Sequence, residues 1–252
     1  MDKRIKIGSN YYVLDRCLQI LLATFFLCCG ISSAYARTKR SAPKAEKYGI
    51  DVSHHNGVID WAKVAKDTNI VFVYIKATTG ATHLDNRYKK NIKEARKNGL
   101  KVGSYHFFTS YSSAHAQFEN FKKQAKRSEQ DLIPMVDVEA ELGRWTRRQV
   151  QDSLLMFMRL CKSYYGKYPL VYGSQTSYNK YCAPRFNKFH LMIANYNGKA
   201  PVIIGKGHYS IWQYTESGKV AGINHPVDKS RFHREYSVRN ILLPKTTKKK
   251  KK

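Results

Sequence analysis

Two carboxylates spaced i, i+2 close the apolar run Leu132-Ile133-Pro134-Met135-Val136-Asp137-Val138-Glu139. On a β-strand that spacing sets Asp137 and Glu139 on one face and turns Val138 to the other. Two acids sharing a face at the polar end of a buried strand can cleave a glycosidic bond. One protonates the leaving oxygen while the other supports the positive charge developing on the sugar. Glu139 has the longer reach and is the candidate acid, and neighbouring carboxylates should make it hold its proton to a higher pH. Same-face Cβ atoms two apart on a strand are separated by roughly 6 to 7 Å, between the spacings of retaining and inverting pairs, so stereochemistry stays open. A solvated strand end can also read D-x-E, so the assignment depends on the elements that position it.

Those elements alternate. Short β-rich runs at Tyr48 to Val52, Ile70 to Ile75, Lys101 to Phe107, Leu132 to Val138, Tyr168 to Tyr172, His190 to Ala194 and Tyr209 to Gln213 predict strands. Helical periodicity predicts helices at Asp60 to Asp67, Asp85 to Asn98, Ser112 to Arg127, Thr146 to Tyr164 and about Ser174 to Tyr181. Asp60, Asp85 and Thr146 are expected N-caps, and Asn98-Gly99 a helix stop. Strand, helix, strand repeats with short connections imply parallel pairing, and around eight such strands favour a closed α/β architecture, an irregular (β/α) TIM-like barrel. Its second half should be the irregular part, because helices shorten after Tyr168 and Gly205, Gly207, Gly218 and Gly222 suggest turns and a hairpin.

In such a barrel chemistry collects at the C-terminal ends of the strands. This sequence places there Asp51, Lys76, Tyr105 with His106, Asp137 with Glu139, Tyr172, Asn195 with Tyr196, Gln213 with Tyr214, and Asp228. Acids among tyrosines suit a carbohydrate, whose ring faces pack on aromatic faces while polar groups fix its hydroxyls. Any one of these aromatics alone reads as core packing, and it is their shared position that points to a sugar.

The chain carries 45 Lys and Arg against 18 Asp and Glu, a formal charge of +27. Residues 1–36 read as a signal peptide: basic Lys3, Arg4 and Lys6, an apolar stretch from about Leu18 to Ile31, then Ala34-Tyr35-Ala36. Export to the extracellular space, periplasm or cell envelope is the expectation; anchoring through this segment or through a lipidated Cys28 or Cys29 stays open. Cleavage after Ala36 would remove four of the bases and two of the acids, leaving 41 against 16 and a charge of +25. Residues 37–47 read as a linker, 48–243 as one catalytic barrel and 244–252 as a lysine-rich tail. The surface charge favours contact with anionic envelope polymers. No nucleic acid is expected, since no basic recognition helix or RNA-binding aromatic motif is present. Outside the leader only Cys161 and Cys182 remain. They allow one disulfide, although Cys161 also fits a helix interior as a small buried residue.

Several separated motifs in one order resemble the glycoside hydrolase family 25 lysozymes, the Chalaropsis-type muramidases. They are Tyr48-Gly49-Ile50-Asp51-Val52-Ser53-His54-His55-Asn56-Gly57 with Ile59-Asp60-Trp61, Tyr74-Ile75-Lys76-Ala77-Thr78 with Gly80, Gly99 through Phe107, Asp137-Val138-Glu139, Ile211-Trp212-Gln213-Tyr214-Thr215, and Val227-Asp228. The resemblance implies hydrolysis of the β-1,4 bond between N-acetylmuramic acid and N-acetylglucosamine in peptidoglycan, with retention. It implies Glu139 as general acid, Asp137 as its assistant, and Asp51 and Asp228 as the remaining active-site acids. Tyr105, Lys76, Tyr172, Gln213 and Tyr196 fall where sugar contacts are expected. One departure is Met192, which stands in Leu191-Met192-Ile193-Ala194-Asn195-Tyr196 where the family carries Trp. It is harmless if interior and a lost stacking platform if it lines the groove.

Two other classes fit parts of the pattern. A chitinase-like barrel also ends a strand in Glu, but Gln130-Asp131-Leu132-Ile133-Pro134-Met135 lacks the acid ladder D-x-x-D-x-D-x-E. A non-catalytic glycan-binding protein would share the aromatic mouth. His54-His55 has no second cluster at metal-ligand spacing, so no metal or other cofactor is implied, and a monomer is the default.

Overall fold

The computed structural model describes residues 46–139 and 142–244, all within the compact unit that begins at Glu46. The leader, most of the linker, Cys17, Cys28, Cys29 and the lysines from Lys245 onward lie outside the described residues.

Among the described residues there are nine strands: β1 (Tyr48–Val52), β2 (Ile70–Thr79), β3 (His83–Leu84), β4 (Val102–Phe107), β5 (Met135–Asp137), β6 (Leu170–Ser174), β7 (Leu191–Ala194), β8 (Ile211–Val220) and β9 (Ile223–Phe232). Neighbours run β1-β9-β8-β7-β6-β5-β4-β2, and a β1–β2 pairing closes the ring, with the short β3 hanging on the end of β2. From β1 through β2 and β4 to β8 all pairings are parallel; β9 is antiparallel to both β8 and β1. The helices are α1 (Trp61–Val64), α2 (Tyr88–Lys97), α3 (Ala114–Gln124), α4 (Arg147–Tyr165), α5 (Gln175–Tyr181) and α6 (Val238–Ile241). The α/β barrel expected from sequence is therefore present, and its irregularity is where the glycines put it. No helix joins β7 to β8, and β8 and β9 form one long hairpin.

Local rules explain the best-defined helix. Thr146 and Gln149 form a reciprocal capping box at the start of α4, and Gly166 at φ 89° ends it. Its buried residues Val150, Leu154, Phe157, Met158, Cys161 and Tyr165 recur at helical spacing and face the barrel wall. The barrel interior is filled from one side at a time. Phe72 and Tyr74 of β2 point inward opposite Gly49 and Gly103, where an added Cβ would lie 2.0 Å and 2.5 Å from the rings. Phe232 of β9 closes on Phe72 with centroids 5.1 Å apart. Rings against glycines pack the barrel floor and leave the upper layer to polar groups.

Three expectations need correction, and the alternative left open for the two cysteines is decided. Asp85 stands two residues before the N-cap position of α2, which Arg87 holds without a side-chain bond; its Oδ1 still accepts from the Arg87 amide at the helix entry at 3.0 Å, while its Oδ2 faces His54. The fourth predicted strand shrinks to Met135–Asp137, with Leu132 in an isolated bridge to Leu242. Asp228 does not end a parallel strand; it lies inside antiparallel β9, directly across from Asp51. Cys161 and Cys182 are free and buried, without a disulfide.

Candidate active site

The parallel register carries Lys76, Tyr105, Asp137 and Tyr172 to the C-terminal end of the barrel. Lys76 pairs with Tyr105, Phe107 with Asp137, and Asp137 with Tyr172. The antiparallel β9 completes the ring by setting Asp228 beside Asp51. Glu139 continues the β5 line two residues past Asp137. The amide of Val138 between them donates to the Tyr172 carbonyl at 2.9 Å, so both acids stay on the inner face. Gly173 permits this approach, since a Cβ there would meet the Val138 carbonyl at 2.9 Å.

Asp51 is held from one side by Gln213, whose Nε2 donates to Oδ1 and Oδ2 at 3.1 Å and 3.0 Å. The Gln213 carbonyl accepts from the Tyr172 hydroxyl at 2.9 Å and from the Tyr196 hydroxyl. Two hydroxyl donors on one end and a carboxylate on the other fix the amide orientation. Gln213 is fully buried with both ends engaged, so it positions Asp51. Tyr172 is buried beside it, whereas Tyr196 is 42% exposed and presents its ring at the mouth.

All four acids bind their protons more tightly than ordinary carboxylates. Burial is the largest cause in each case. It raises Asp51, with Asp228 next to it adding to the effect and Gln213 opposing it. It raises Asp137, with the Glu139 charge adding and Lys76 opposing. It raises Glu139, against Lys76 and a hydrogen bond from the Ser174 amide. Asp228 is lifted to about 6 by burial, while a hydrogen bond with Asp51 opposes. Asp51 and Asp228, directly across β1 and β9 from one another, are thus both raised. Asp137 is buried and its Oδ1 has no hydrogen-bond partner among the described residues; Glu139 is half-buried and reaches toward solvent. Lys76 lies with Nζ 4.9 Å from the Phe107 ring centre.

The His54-His55 pair frames the rim. Ser53 and Asn56 form a capping box around this short 3-10 turn, and the Asn56 amide donates to the Pro226 carbonyl at 2.8 Å, tying the turn to β9. Asp85 accepts from the His54 amide at 2.9 Å and faces its Nδ1 at 2.8 Å. Among the described residues no His, Cys, Asp and Glu group has metal-binding geometry. His106 lies on the helix side of β4, stacked 4.8 Å from Phe157. Gln117 donates its amide to the Thr109 and Ser112 carbonyls, which leaves its oxygen to accept from His106 Nε2 and makes Nδ1 the acceptor from Thr78. Burial holds this neutral imidazole down at about 4. Met192 is fully buried, in register between Tyr172 and Ile211. It fills the interior and is not a platform at the mouth.

Sequence reasoning missed two features of the rim. One is Asp85, disguised as a helix cap. The other is Arg144, stacked over exposed Tyr111 at 4.8 Å, which joins the loops after β5 and β4 on the same end as the acids. An aromatic and an arginine in loops after parallel strands were the available signal.

The family model for glycosyl hydrolases family 25 matches residues 50–223. YegX, an uncharacterized protein of Escherichia coli (strain K12), is 32% identical over 190 residues, covering 74% of this chain and 69% of that protein. Lysozyme M1 of Streptomyces globisporus is 29% identical over 211 residues, 78% of this chain and 71% of that one. The solved family 25 glycosyl hydrolase of Bacillus anthracis superposes with a TM-score of 0.70 at 30% identity, covering 75% of this chain and 89% of that chain. A match spanning both the β1 acid and the β5 acids, on the same closed barrel, makes this chain a member of glycosyl hydrolase family 25 and a glycoside hydrolase.

Proposed function

We propose that the chain is an exported lysozyme, an N-acetylmuramidase that hydrolyses the β-1,4 bond between N-acetylmuramic acid and N-acetylglucosamine in peptidoglycan. The observation that carries this is the pairing of half-buried, proton-holding Glu139 with buried Asp137, two residues apart on one face of the barrel mouth. Glu139 delivers its proton to the glycosidic oxygen as the bond to the sugar breaks. Asp137 offers its unpartnered Oδ1 to the N–H of the 2-acetamido group, so that the acetamido oxygen can close on the anomeric carbon. Ionised Glu139 then takes a proton from the water that attacks the anomeric carbon as its bond to the acetamido oxygen breaks, and the two inversions give net retention. Asp51 and Asp228, side by side across β1 and β9, stabilise the charge on the reacting sugar. Tyr105, Lys76 and Tyr196 line the way in, and Tyr172 with Gln213 keeps Asp51 in place. Residues 1–36 serve as the signal peptide in this reading.

The test is mass spectrometry of the products released from purified peptidoglycan. Fragments ending in reducing N-acetylmuramic acid are expected. Binding to sacculi without new reducing ends would replace this reading with a non-catalytic glycan-binding protein; digestion of chitin but not peptidoglycan would replace it with a chitinase-like one.

A further inference from the structure

The His54-His55 turn takes no part in the reaction steps above, yet it stands directly over them. His54 follows Asp51 by three residues at the end of β1, and the ties of its turn run to the strands on both sides of β1 in the ring. Asn56 donates to the Pro226 carbonyl of β9, two residues before Asp228, at 2.8 Å. Asp85, which faces the His54 ring, donates its own amide to the Ala77 carbonyl of β2, one residue past Lys76, at 3.0 Å. Burial raises the Tyr105 hydroxyl, and Asp51, Asp137, Asp228 and then Asp85 add to that effect, so Asp85 lies within the field of the same site. Around the ring β1 is separated from β5 by β2 and β4 one way and by four strands the other, which sets His54 well across the mouth from Glu139.

The His54 ring is held by one nitrogen only. The Asp85 side chain behind it is 1% exposed; its Oδ1 accepts from the Arg87 amide at 3.0 Å, and its Oδ2 accepts from the His54 amide at 2.9 Å and meets Nδ1 at 2.8 Å. Both oxygens already accept from backbone amides, so the hydrogen of the third contact comes from Nδ1 and the tautomer is set. Nε2 has no hydrogen-bond partner among the described residues, and the side chain is 32% exposed, with its ring centre 3.9 Å from that of His55. The turn does not need the ring as a latch, because the Ser53 and Asn56 capping box and the Asn56 bond to Pro226 already fix it. A carboxylate buried behind an imidazole whose far nitrogen stays open is the arrangement that aims a ring at a ligand. On the muramidase reading given above, we propose that His54, aimed by Asp85, contacts the substrate through Nε2, which hydrogen-bonds a hydroxyl of the amino sugar bound over the four acids. A hydroxyl suits either state of the ring, donating to a bare Nε2 and accepting from a protonated one.

Asparagine and glutamine divide the two nitrogens. His54→Asn keeps a donor near the Nδ1 position for Asp85 and has nothing where Nε2 stood; His54→Gln reaches the Nε2 position and leaves Asp85 unanswered. The full chain with Glu139→Gln, used to hold substrate uncleaved, is titrated calorimetrically with the tetrasaccharide of alternating N-acetylglucosamine and N-acetylmuramic acid. Adding His54→Asn is expected to weaken Kd about three- to tenfold, the loss of one hydrogen bond, while Tm stays at the parent's value. Adding His54→Gln is expected to lower Tm and yet to bind the tetrasaccharide more tightly than His54→Asn does. A ring that only latches the turn gives the reverse order, with His54→Gln the weaker binder. That order, or a Kd for His54→Asn within about twofold of the parent's, overturns the substrate contact and leaves the muramidase reading standing. Failure of the Glu139→Gln chain itself to bind the tetrasaccharide removes both.

Discussion

Glu139→Gln separates a carboxyl that works from one that holds the barrel together. The replacement keeps the shape, and the Ser174 amide that donates to Glu139 still finds an oxygen. What is lost is the transferable proton, and general acid catalysis of this kind contributes about 10² to 10⁴ in rate. Hydrolysis of purified sacculi, followed by turbidity and product mass, should fall by at least that lower figure. Stability should move the other way. Burial raises the proton affinity of Glu139 in the folded state, so its contribution is fully present below the unfolded carboxyl pKa and is lost as pH rises through the folded value. Glutamine has no such loss. Tm of the variant should equal that of the parent near pH 4 and exceed it progressively toward pH 8, by about 2 to 4 °C for each kcal/mol relieved in a domain of this size. Partial exposure of Glu139 screens its charge and keeps the gain small. Calorimetry across that pH range, run beside the hydrolysis assay, reads both effects. A folded variant with turnover within tenfold of the parent would refute the assignment. A Tm lowered by several degrees at every pH would show instead that the carboxylate is a structural tie.

Asp228→Asn should show the same sign in a defined window. Asp228 holds its proton to about 6, so the Tm of the variant minus that of the parent should climb between pH 4 and pH 7, with the opposing titration of His106 cancelling in the difference; a flat difference would contradict the raised affinity. Gln213→Leu strips Asp51 of its two donors and leaves the Tyr172 hydroxyl unpaired, at a cost of about 3 kcal/mol and a fall of about 6 to 12 °C in Tm, with kcat reduced more than KM. Unchanged Tm and kcat would show that Asp51 needs no such support. Gly103→Ala puts a Cβ 2.5 Å from Tyr74 Cε1 and 3.0 Å from Leu132 Cβ, both in the packed interior. A loss of about 1 to 3 kcal/mol is expected in a denaturant titration, and a midpoint equal to the parent's would mean that the barrel floor yields more easily than its packing indicates.

The parts of the fold that could be read in the sequence are those governed by local rules. Helix α4 announces itself by Thr146, its apolar stripe and Gly166, and it lies where the pattern puts it. Strand β9 does not. Ile223-Asn224-His225-Pro226-Val227-Asp228 has few apolar residues and a proline, which argues against a strand. It forms because β8 on one side and β1 on the other both offer it partners, and the ring cannot close without it. Asp85 is only half legible: one oxygen serves the helix entry, as an acid there should, and the other faces a distant histidine that local reading cannot supply. The hairpin with β8 is signalled by its glycines, but the β1–β9 pairing and the His54–Asp85 contact are tertiary and lie in no window of neighbouring residues.

The acids illustrate how a correct expectation can rest on a secondary cause. Like charge between Asp137 and Glu139 does raise the proton affinity of Asp137, yet burial outweighs it there and is the first cause for Asp51, Glu139 and Asp228 as well. Burial belongs to the neighbours: to Met135 and Tyr172, which wall in Asp137, and to the β1–β9 register, which puts Asp51 and Asp228 side by side inside the ring. The same neighbours explain why the acids of a chain of charge +27 hold their protons more tightly than ordinary carboxylates. Its lysines and arginines sit outside on the helices and at the barrel base, and Lys76 is the cation that acts directly on Asp137 and Glu139. The basic shell and the acid-filled mouth are thus electrically separate, and replacing a surface lysine should leave the titration of Glu139 as it is, whereas replacing Lys76 should not.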